Sequence, residues 1–158
     1  MTKPTDPIET ALNLISHAHF GQVDKLGKPY VLHLLAVHAA VADQCVATQV
    51  VALLHDVLED TYVTEEALRR WFVDEIVDAV VCITKVKGES YDDYLSRVIS
   101  NKISKCVKSA DVSHNMSRLS LIPDRETRDR LIKKYMKARA VLGMPAPINK
   151  IVVNVNPD

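Results

Sequence analysis

The sequence has few glycines and no glycine-rich loop. Four glycines are spread over 158 residues, so the chain lacks the backbone cradle that many nucleotide-binding proteins use to hold phosphate groups. If this protein handles phosphate, its side chains or a bound cation have to neutralise the phosphate charge.

An excess of charge of one sign is also missing. Twenty Lys and Arg residues balance twenty Asp and Glu residues, so there is no basic surplus to hold a nucleic-acid backbone. No apolar run approaches the roughly 18 residues that span a membrane, and the first residues lack the apolar core of a signal peptide. We therefore expect a cytoplasmic protein that binds a small molecule, with neither nucleic acid nor membrane as a partner.

Cysteine is scarce and scattered. Cys45, Cys82 and Cys106 are odd in number and form no CxxC pair. A disulfide framework or a zinc knuckle is therefore not expected, and reduced thiols are predicted.

The apolar residues recur at helical spacing through most of the chain. Asp6-Pro7 with a glutamate at position 9 predicts a helix start, and Gly143 predicts the end of the last helix. We predict an all-α fold, a single compact helical bundle over residues 1–143, followed by a C-terminal tail over residues 144–158. The tail is either an arm on a partner subunit or loose, so a homo-oligomer remains open.

The segment LLHDVLED, residues 53–60, places acidic residues beside a histidine in a leucine-rich stretch. We predict one helix over residues 46–60. At ~100° per residue, the leucines and valines share one side of this helix, and His55, Asp56, Glu59 and Asp60 share the other. Either this is an ordinary solvated face or it is part of a metal site. Asp56 and Asp60 repel each other by ~0.2–0.5 kcal/mol where exposed, and a cation would turn that cost into an attraction.

Two other segments carry polar residues in apolar surroundings. His33 lies in a stretch that is apolar nearly all round, so we expect it to be buried and to need a partner. Asp111 borders the apolar stripe of a helix predicted over residues 102–119, where an unpaired carboxylate is costly. A backbone carbonyl for His33, and Lys108 or Arg118 for Asp111, are the structural alternatives to a shared cation.

Three stretches, taken in order, carry a family resemblance. HFGQVDKLGKPYVLHLLAV, LLHDVLEDTYVTEEALRRWF and VKSADVSHNM resemble the hydrolase domain of the RelA/SpoT alarmone enzymes and their small stand-alone relatives, which are HD-domain metal-dependent phosphohydrolases. The resemblance covers about residues 10–120. An HD pair alone is a weak signal, but HDxxEDT with PYxxH before it and ADxxHN after it is specific.

The resemblance implies a metal site and a reaction. His33, His55, Asp56 and Asp111 would bind one divalent ion, expected to be Mn²⁺; the donor set also suits Fe²⁺ and does not exclude zinc. The expected reaction removes pyrophosphate from the 3′ position of guanosine 3′,5′-bis(diphosphate) by attack of a metal-activated water. Glu59 or Asp60 would serve this chemistry by orienting the water or carrying its proton. No synthetase domain follows in the sequence, so degradation alone is expected.

The substrate region matches the family less closely. By resemblance Lys25, Asn115 and Tyr135 would contact the substrate, with a helix-surface amide and helix packing as the alternatives for Asn115 and Tyr135. Where the family has an arginine that contacts guanine, this chain has Asp24, which cannot stack as a guanidinium does. A different nucleotide substrate (a 5′-nucleotide or a nicotinamide dinucleotide phosphate) and a non-catalytic nucleotide-binding module are therefore the alternatives. His114 shares a stripe with Val107 and is predicted to lie in the core.

Overall fold

The computed structural model describes residues 6–145, and this part of the chain is helical without a β-strand. The helices are α1 (Pro7–Ala18), α2 (Val31–Ala40), α3 (Val46–Leu54), α4 (Val57–Asp60), α5 (Glu65–Arg69), α6 (Asp74–Ile83), α7 (Tyr91–Ile99), α8 (Lys102–Ser117) and α9 (Arg125–Leu142), with a 3₁₀ turn at Leu119–Leu121. The all-α prediction is confirmed. None of the described helices is long and apolar enough to cross a membrane.

The start predicted for the first helix and the end predicted for the last are those of the structure. The Asp6 carboxylate accepts a hydrogen bond from the backbone N–H of Ile8 at 2.7 Å and so caps α1. Gly143 has a φ of +70° and ends α9 in the left-handed conformation. All but the first two residues of the predicted tail lie outside the described residues, so its role and the homo-oligomer stay predictions.

The predicted continuous helix over residues 46–60 is wrong. α3 ends at Leu54 and α4 begins at Val57, with Asp56 between them at φ −106° and ψ 0°. The Nδ1 atom of His55 lies 2.8 Å from the Ala52 carbonyl oxygen, so this side chain bonds to the backbone where the helix ends. On a continuous helix, the side chains of neighbouring residues point ~100° apart. Because the helix is interrupted here, His55 and Asp56 are not bound by this angle.

The core is built around α3, which packs against α1, α2, α6 and α8. Its residues Val50, Val51, Leu53 and Leu54 are fully buried. A second apolar cluster joins α7, the 3₁₀ turn and α9 to the other side of α8. Helix α8 therefore carries residues of both clusters and positions one side of the cavity described below.

Arg97 ties α7 to the C-terminal end of α6. Its guanidinium donates to the carbonyl oxygens of Val81 at 3.1 Å, Cys82 at 2.6 Å and Thr84 at 2.9 Å. It also pairs with Glu89 at 2.7 Å. Carbonyls at a helix end have no partner within the helix, so this one side chain satisfies several of them.

Arg97→Met is expected to lower the free energy of unfolding by about 2–4 kcal/mol, because it leaves partly buried carbonyl oxygens without a charged donor. Urea denaturation followed by circular dichroism measures this change. Arg70→Met is the control: Arg70 forms an exposed pair with Glu66, which is worth less than about 1 kcal/mol. Equal, small losses in both variants would show that Arg97 does not anchor α7.

Candidate metal centre

Side chains from three helical segments meet in the interior. His33 comes from α2, His55 from the residue after α3, and Asp111 from α8. Nε2 of His33 lies 3.2 Å from Oδ1 of Asp111, and Nε2 of His55 lies 3.9 Å from the same oxygen. One ligand atom from each residue lies within 4.8 Å of the others, and all three residues are buried. Atoms this close can share a single cation.

Asp56 joins this cluster from the break between α3 and α4. Its Oδ2 lies 3.0 Å from Nε2 of His55 and 3.7 Å from Nε2 of His33. The same oxygen accepts a 2.6 Å hydrogen bond from the Tyr30 hydroxyl. Tyr30 was not predicted as a site residue. Its position in the PYxxH motif, one helical turn before His33, could have indicated that it lies near the site.

The His55 ring is oriented with its Nε2 towards the carboxylates. In the neutral ring, with Nδ1–H donating to the Ala52 carbonyl oxygen 2.8 Å away, Nε2 carries the lone pair that a cation would take. This nitrogen is buried and makes no hydrogen bond within residues 6–145, although Asp56 Oδ2 is near. A buried nitrogen without a hydrogen bond, facing carboxylate oxygens, fits a metal ligand.

The prediction that His114 lies in the core is wrong. This residue is partly exposed, and its Nδ1 lies 2.8 Å from Nδ1 of His33. One of the two nitrogens must donate and the other accept. If a cation takes the Nε2 lone pair of His33, the Nδ1–H of the same ring donates to His114, and this hydrogen bond fixes the ring. The apolar stripe of α8 correctly indicated the side of the helix on which His114 lies. Its partner, His33, could be identified only from the packing of α2 against α8.

Of the two salt-bridge partners that the sequence offered for Asp111, the structure pairs it with Lys108, whereas Arg118 pairs with Asp24. Its Oδ2 forms a 2.8 Å ion pair with Lys108, while its Oδ1 faces His33 and accepts a 2.6 Å hydrogen bond from Asn115. Burial would raise the pKa of Asp111, but the Lys108 ammonium and the histidines hold it well below its usual range. The carboxylate is therefore ionised.

The pKa values of His55 and Asp56 shift together. Burial opposes the charged forms of both Asp56 and His55, yet their mutual attraction outweighs it. The pKa of Asp56 falls to about 2, mainly through His55, and the pKa of His55 rises to about 9, mainly through Asp56. A cation that bound here would replace the proton on His55 and would meet ionised carboxylates.

A cavity of about 470 Å³ opens beside the cluster. Every site residue predicted from the sequence lines it except His55, which lies behind the wall. The predicted residues in the wall are Lys25, His33, Asp56, Glu59, Asp60, Asp111, Asn115 and Tyr135. Sequence reasoning missed the cavity residues Tyr91 and Lys134, which lie outside the three motifs.

The acid pair lies one turn beyond Asp56, on α4. Both side chains are exposed to the cavity, and Glu59 Oε2 accepts a 3.3 Å hydrogen bond from the Lys85 backbone N–H. Burial, Asp56 and Glu59 raise the pKa of Asp60, in that order. The pair is near the cluster without contributing an atom to the group that lies within 4.8 Å.

Both carboxylate oxygens of Asp24, in the cavity wall, accept hydrogen bonds. Its Oδ1 accepts from the backbone N–H groups of Leu26 at 2.8 Å and Lys28 at 3.0 Å, and its Oδ2 accepts from the Arg118 guanidinium. Backbone N–H groups and Arg118 lower the pKa of Asp24 although its burial opposes this. Its carboxylate thus fixes the loop and holds Arg118 in the cavity wall.

An all-α bundle that gathers two histidines and two aspartates at one end of a cavity defines an HD-type domain. No protein-family model matches the chain. The chain is 32% identical over 137 residues to the "Guanosine-3′,5′-bis(diphosphate) 3′-pyrophosphohydrolase" of Borreliella burgdorferi, a match covering 78% of this chain. It is 38% identical over 125 residues to the protein of that name in Haemophilus influenzae, covering 70% of this chain. A "Probable GTP pyrophosphokinase" of Mycobacterium leprae is 31% identical over 152 residues, or 89% of this chain.

The chain spans about a fifth of the length of these curated relatives, from 18% to 20%. A solved structure described as a metazoan ortholog of SpoT that hydrolyzes ppGpp superposes with a TM-score of 0.79 at 24% identity, covering 92% of this chain and 91% of that one. This neighbour shows the shared fold. The similarities confirm the resemblance carried by the motifs, and the chain is related to the HD-type hydrolase domain of the RelA/SpoT enzymes.

Proposed function

We propose that the chain is a metal-dependent phosphohydrolase that removes pyrophosphate from the 3′ position of guanosine 3′,5′-bis(diphosphate). The observation that carries the proposal is the convergence of His33, His55, Asp56 and Asp111 at one end of a cavity. The names of the curated relatives from Borreliella burgdorferi and Haemophilus influenzae supply the substrate.

The donor set fits one divalent cation. Two imidazole nitrogens and two carboxylate oxygens suit Mn²⁺ or Fe²⁺, and we propose Mn²⁺. The buried Nε2 of His55, which faces the carboxylate of Asp56 at 3.0 Å, supports this fit. Once bound, such an ion would offset charge on phosphoryl oxygens and lower the pKa of water.

The chain's own residues would hold the ligands and move the proton. The Tyr30 hydroxyl and the His114 ring hold Asp56 and His33 in place. Glu59 and Asp60, exposed one turn from Asp56, are the carboxylates available to orient the attacking water or accept its proton.

The proposed substrate contacts come from three sides of the cavity. Lys25 lies in the loop before α2, Asn115 on α8 and Tyr135 on α9. Asn115 is tied to Asp111 at 2.6 Å, so a substrate group bound there would lie beside the metal ligands. Tyr135 both packs in the core and lines the cavity.

A second candidate is the same chemistry on another nucleotide. It is favoured by Asp24, whose carboxylate is already occupied by two backbone N–H groups and Arg118. Any guanine contact at this part of the cavity wall therefore has to come from a group other than residue 24.

We expect the purified chain to convert guanosine 3′,5′-bis(diphosphate) to GDP and pyrophosphate in the presence of Mn²⁺. The reaction should stop when EDTA is added, because EDTA removes the metal ion. Chromatography of the products from this nucleotide, from nucleoside 5′-monophosphates and from NADPH tests the substrate. Turnover of another member of the panel without turnover of the guanosine compound would reject the alarmone substrate. Tight binding of metal and nucleotide without any turnover would favour the binding module.

A further inference from the structure

Lys134 on α9 places a positive charge in the cavity wall without an acidic partner among residues 6–145. Its ammonium lies 5.4 Å from the centre of the Tyr91 ring and 5.8 Å from the centre of the Tyr135 ring. Partial burial, followed by the charges of Lys108 and Lys25, lowers the pKa of Lys134. The cavity therefore holds uncompensated positive charge on its α9 side.

Tyr91 adds an unused hydrogen-bond donor to the same wall. It is the first residue of α7, and its hydroxyl is buried and has no hydrogen-bond partner in the described part of the chain. Burial raises the pKa of this hydroxyl, so it keeps its proton. A buried hydroxyl normally has a partner, and one that lacks it in a cavity wall is available to a ligand.

Lys108 lies between this wall and the metal cluster. Its ammonium pairs with Asp111 at 2.8 Å and lies 5.4 Å from the centre of the Tyr94 ring. The cavity thus changes character along its length, from the carboxylates and histidines of the cluster to the lysines and tyrosines on the side of α7 and α9. A ligand that contacts a cation bound at the cluster and also the lysines at the other side carries two separate anionic groups.

We propose that Lys134, Lys108 and Tyr91 form a second anion-binding subsite, which takes the diphosphate group of the substrate that is not cleaved. This inference rests on the proposed function, under which the cleaved group is at the 3′ position and the held group is the 5′-diphosphate. Two lysines and a hydroxyl supply point charges and a donor that suit phosphate oxygens. The subsite makes the enzyme selective for nucleotides phosphorylated at two positions.

GDP tests the subsite without any hydrolysis, because it carries the 5′-diphosphate and no 3′ group. Calorimetry in EDTA measures the binding of GDP, guanosine and inorganic pyrophosphate to the full chain. We expect Lys134→Met to weaken GDP and pyrophosphate about 10-fold, the loss of one charged contact, and to leave guanosine unchanged. Lys133→Met is the control, since Lys133 is exposed on the same helix and does not line the cavity.

Unchanged binding of GDP and pyrophosphate by Lys134→Met would overturn the subsite. So would a wild-type protein that binds GDP no more tightly than guanosine and binds no pyrophosphate. The result is separate from the proposed function, because a subsite confirmed by binding stands even if guanosine 3′,5′-bis(diphosphate) is not hydrolysed. Conversely, hydrolysis can be confirmed while Lys134→Met leaves the binding of GDP and pyrophosphate unchanged, which would overturn the subsite alone.

Tyr91→Phe tests the hydroxyl. Because this hydroxyl makes no hydrogen bond within residues 6–145, we expect weaker GDP binding with no fall in the urea midpoint. Tyr94→Phe is the matched control, since its hydroxyl donates to the Ile83 carbonyl at 2.7 Å and its loss is expected to lower the midpoint. A lowered midpoint in Tyr91→Phe with unaltered GDP binding would remove this residue from the subsite.

Discussion

Asp56→Ala is expected to abolish metal binding and to reduce hydrolysis by more than about 100-fold. Replacing even an outer partner of a metal ligand typically costs 10–100-fold, so removal of a ligand should cost more. Asp56 Oδ2 lies 3.0 Å and 3.7 Å from the two histidine nitrogens. Among residues 6–145, the only other carboxylate within 4.0 Å of both nitrogens is that of Asp111, which is already part of the cluster. Metal content by elemental analysis and turnover of the guanosine nucleotide give the two readings.

Asp129→Ala is the control for that variant, because Asp129 is exposed on α9 and pairs with Arg125. It should keep both metal and turnover. Circular dichroism verifies that the Asp56 variant is folded, so that a lost fold is not mistaken for a lost ligand. A folded Asp56→Ala protein with full metal content would show that this carboxylate is not a ligand.

Glu59→Ala is expected to keep the metal and to lose about 10²–10⁴-fold in turnover, the usual contribution of a positioned acid or base. Glu59 is exposed to the cavity on α4 and contributes no atom to the metal cluster, so its removal spares the ligands. Asp60→Ala tests the second carboxylate in the same way. A fall in kcat with unchanged metal content is the expected signature.

Glu66→Ala is the matched control for the acid pair. Glu66 is exposed on α5 and pairs with Arg70, away from the cavity. The two single variants also decide which carboxylate moves the proton, since the one that does should show the larger loss. Retained activity in both Glu59→Ala and Asp60→Ala would leave the pair without a catalytic role.

The caps and the motif order could be predicted from the sequence because they depend on local chemistry. Asp6 and Gly143 act on their own helix ends, and the three motifs already contained the members of the metal cluster. The break at His55-Asp56 could not be predicted, because periodicity assumes that a helix continues. At the break the buried His55 side chain bonds to the Ala52 carbonyl, a contact that periodicity does not describe.

The cavity wall opposite the cluster depends on packing between distant helices. Tyr91 and Lys134 lie 43 positions apart in the chain, and neither belongs to a motif. The pairing of His33 with His114 likewise joins α2 to α8. Such contacts become visible only when the fold brings the helices together, so the sequence predicted the residues that converge in the cluster but not most of the opposite cavity wall.

The most direct measurement of the metal centre is anomalous diffraction at the manganese absorption edge from crystals grown with Mn²⁺. We expect one strong peak in contact with Nε2 of His33 and His55 and with carboxylate oxygens of Asp56 and Asp111. A Mn²⁺-active protein whose anomalous peak lies elsewhere, with these four side chains free of metal, would contradict it.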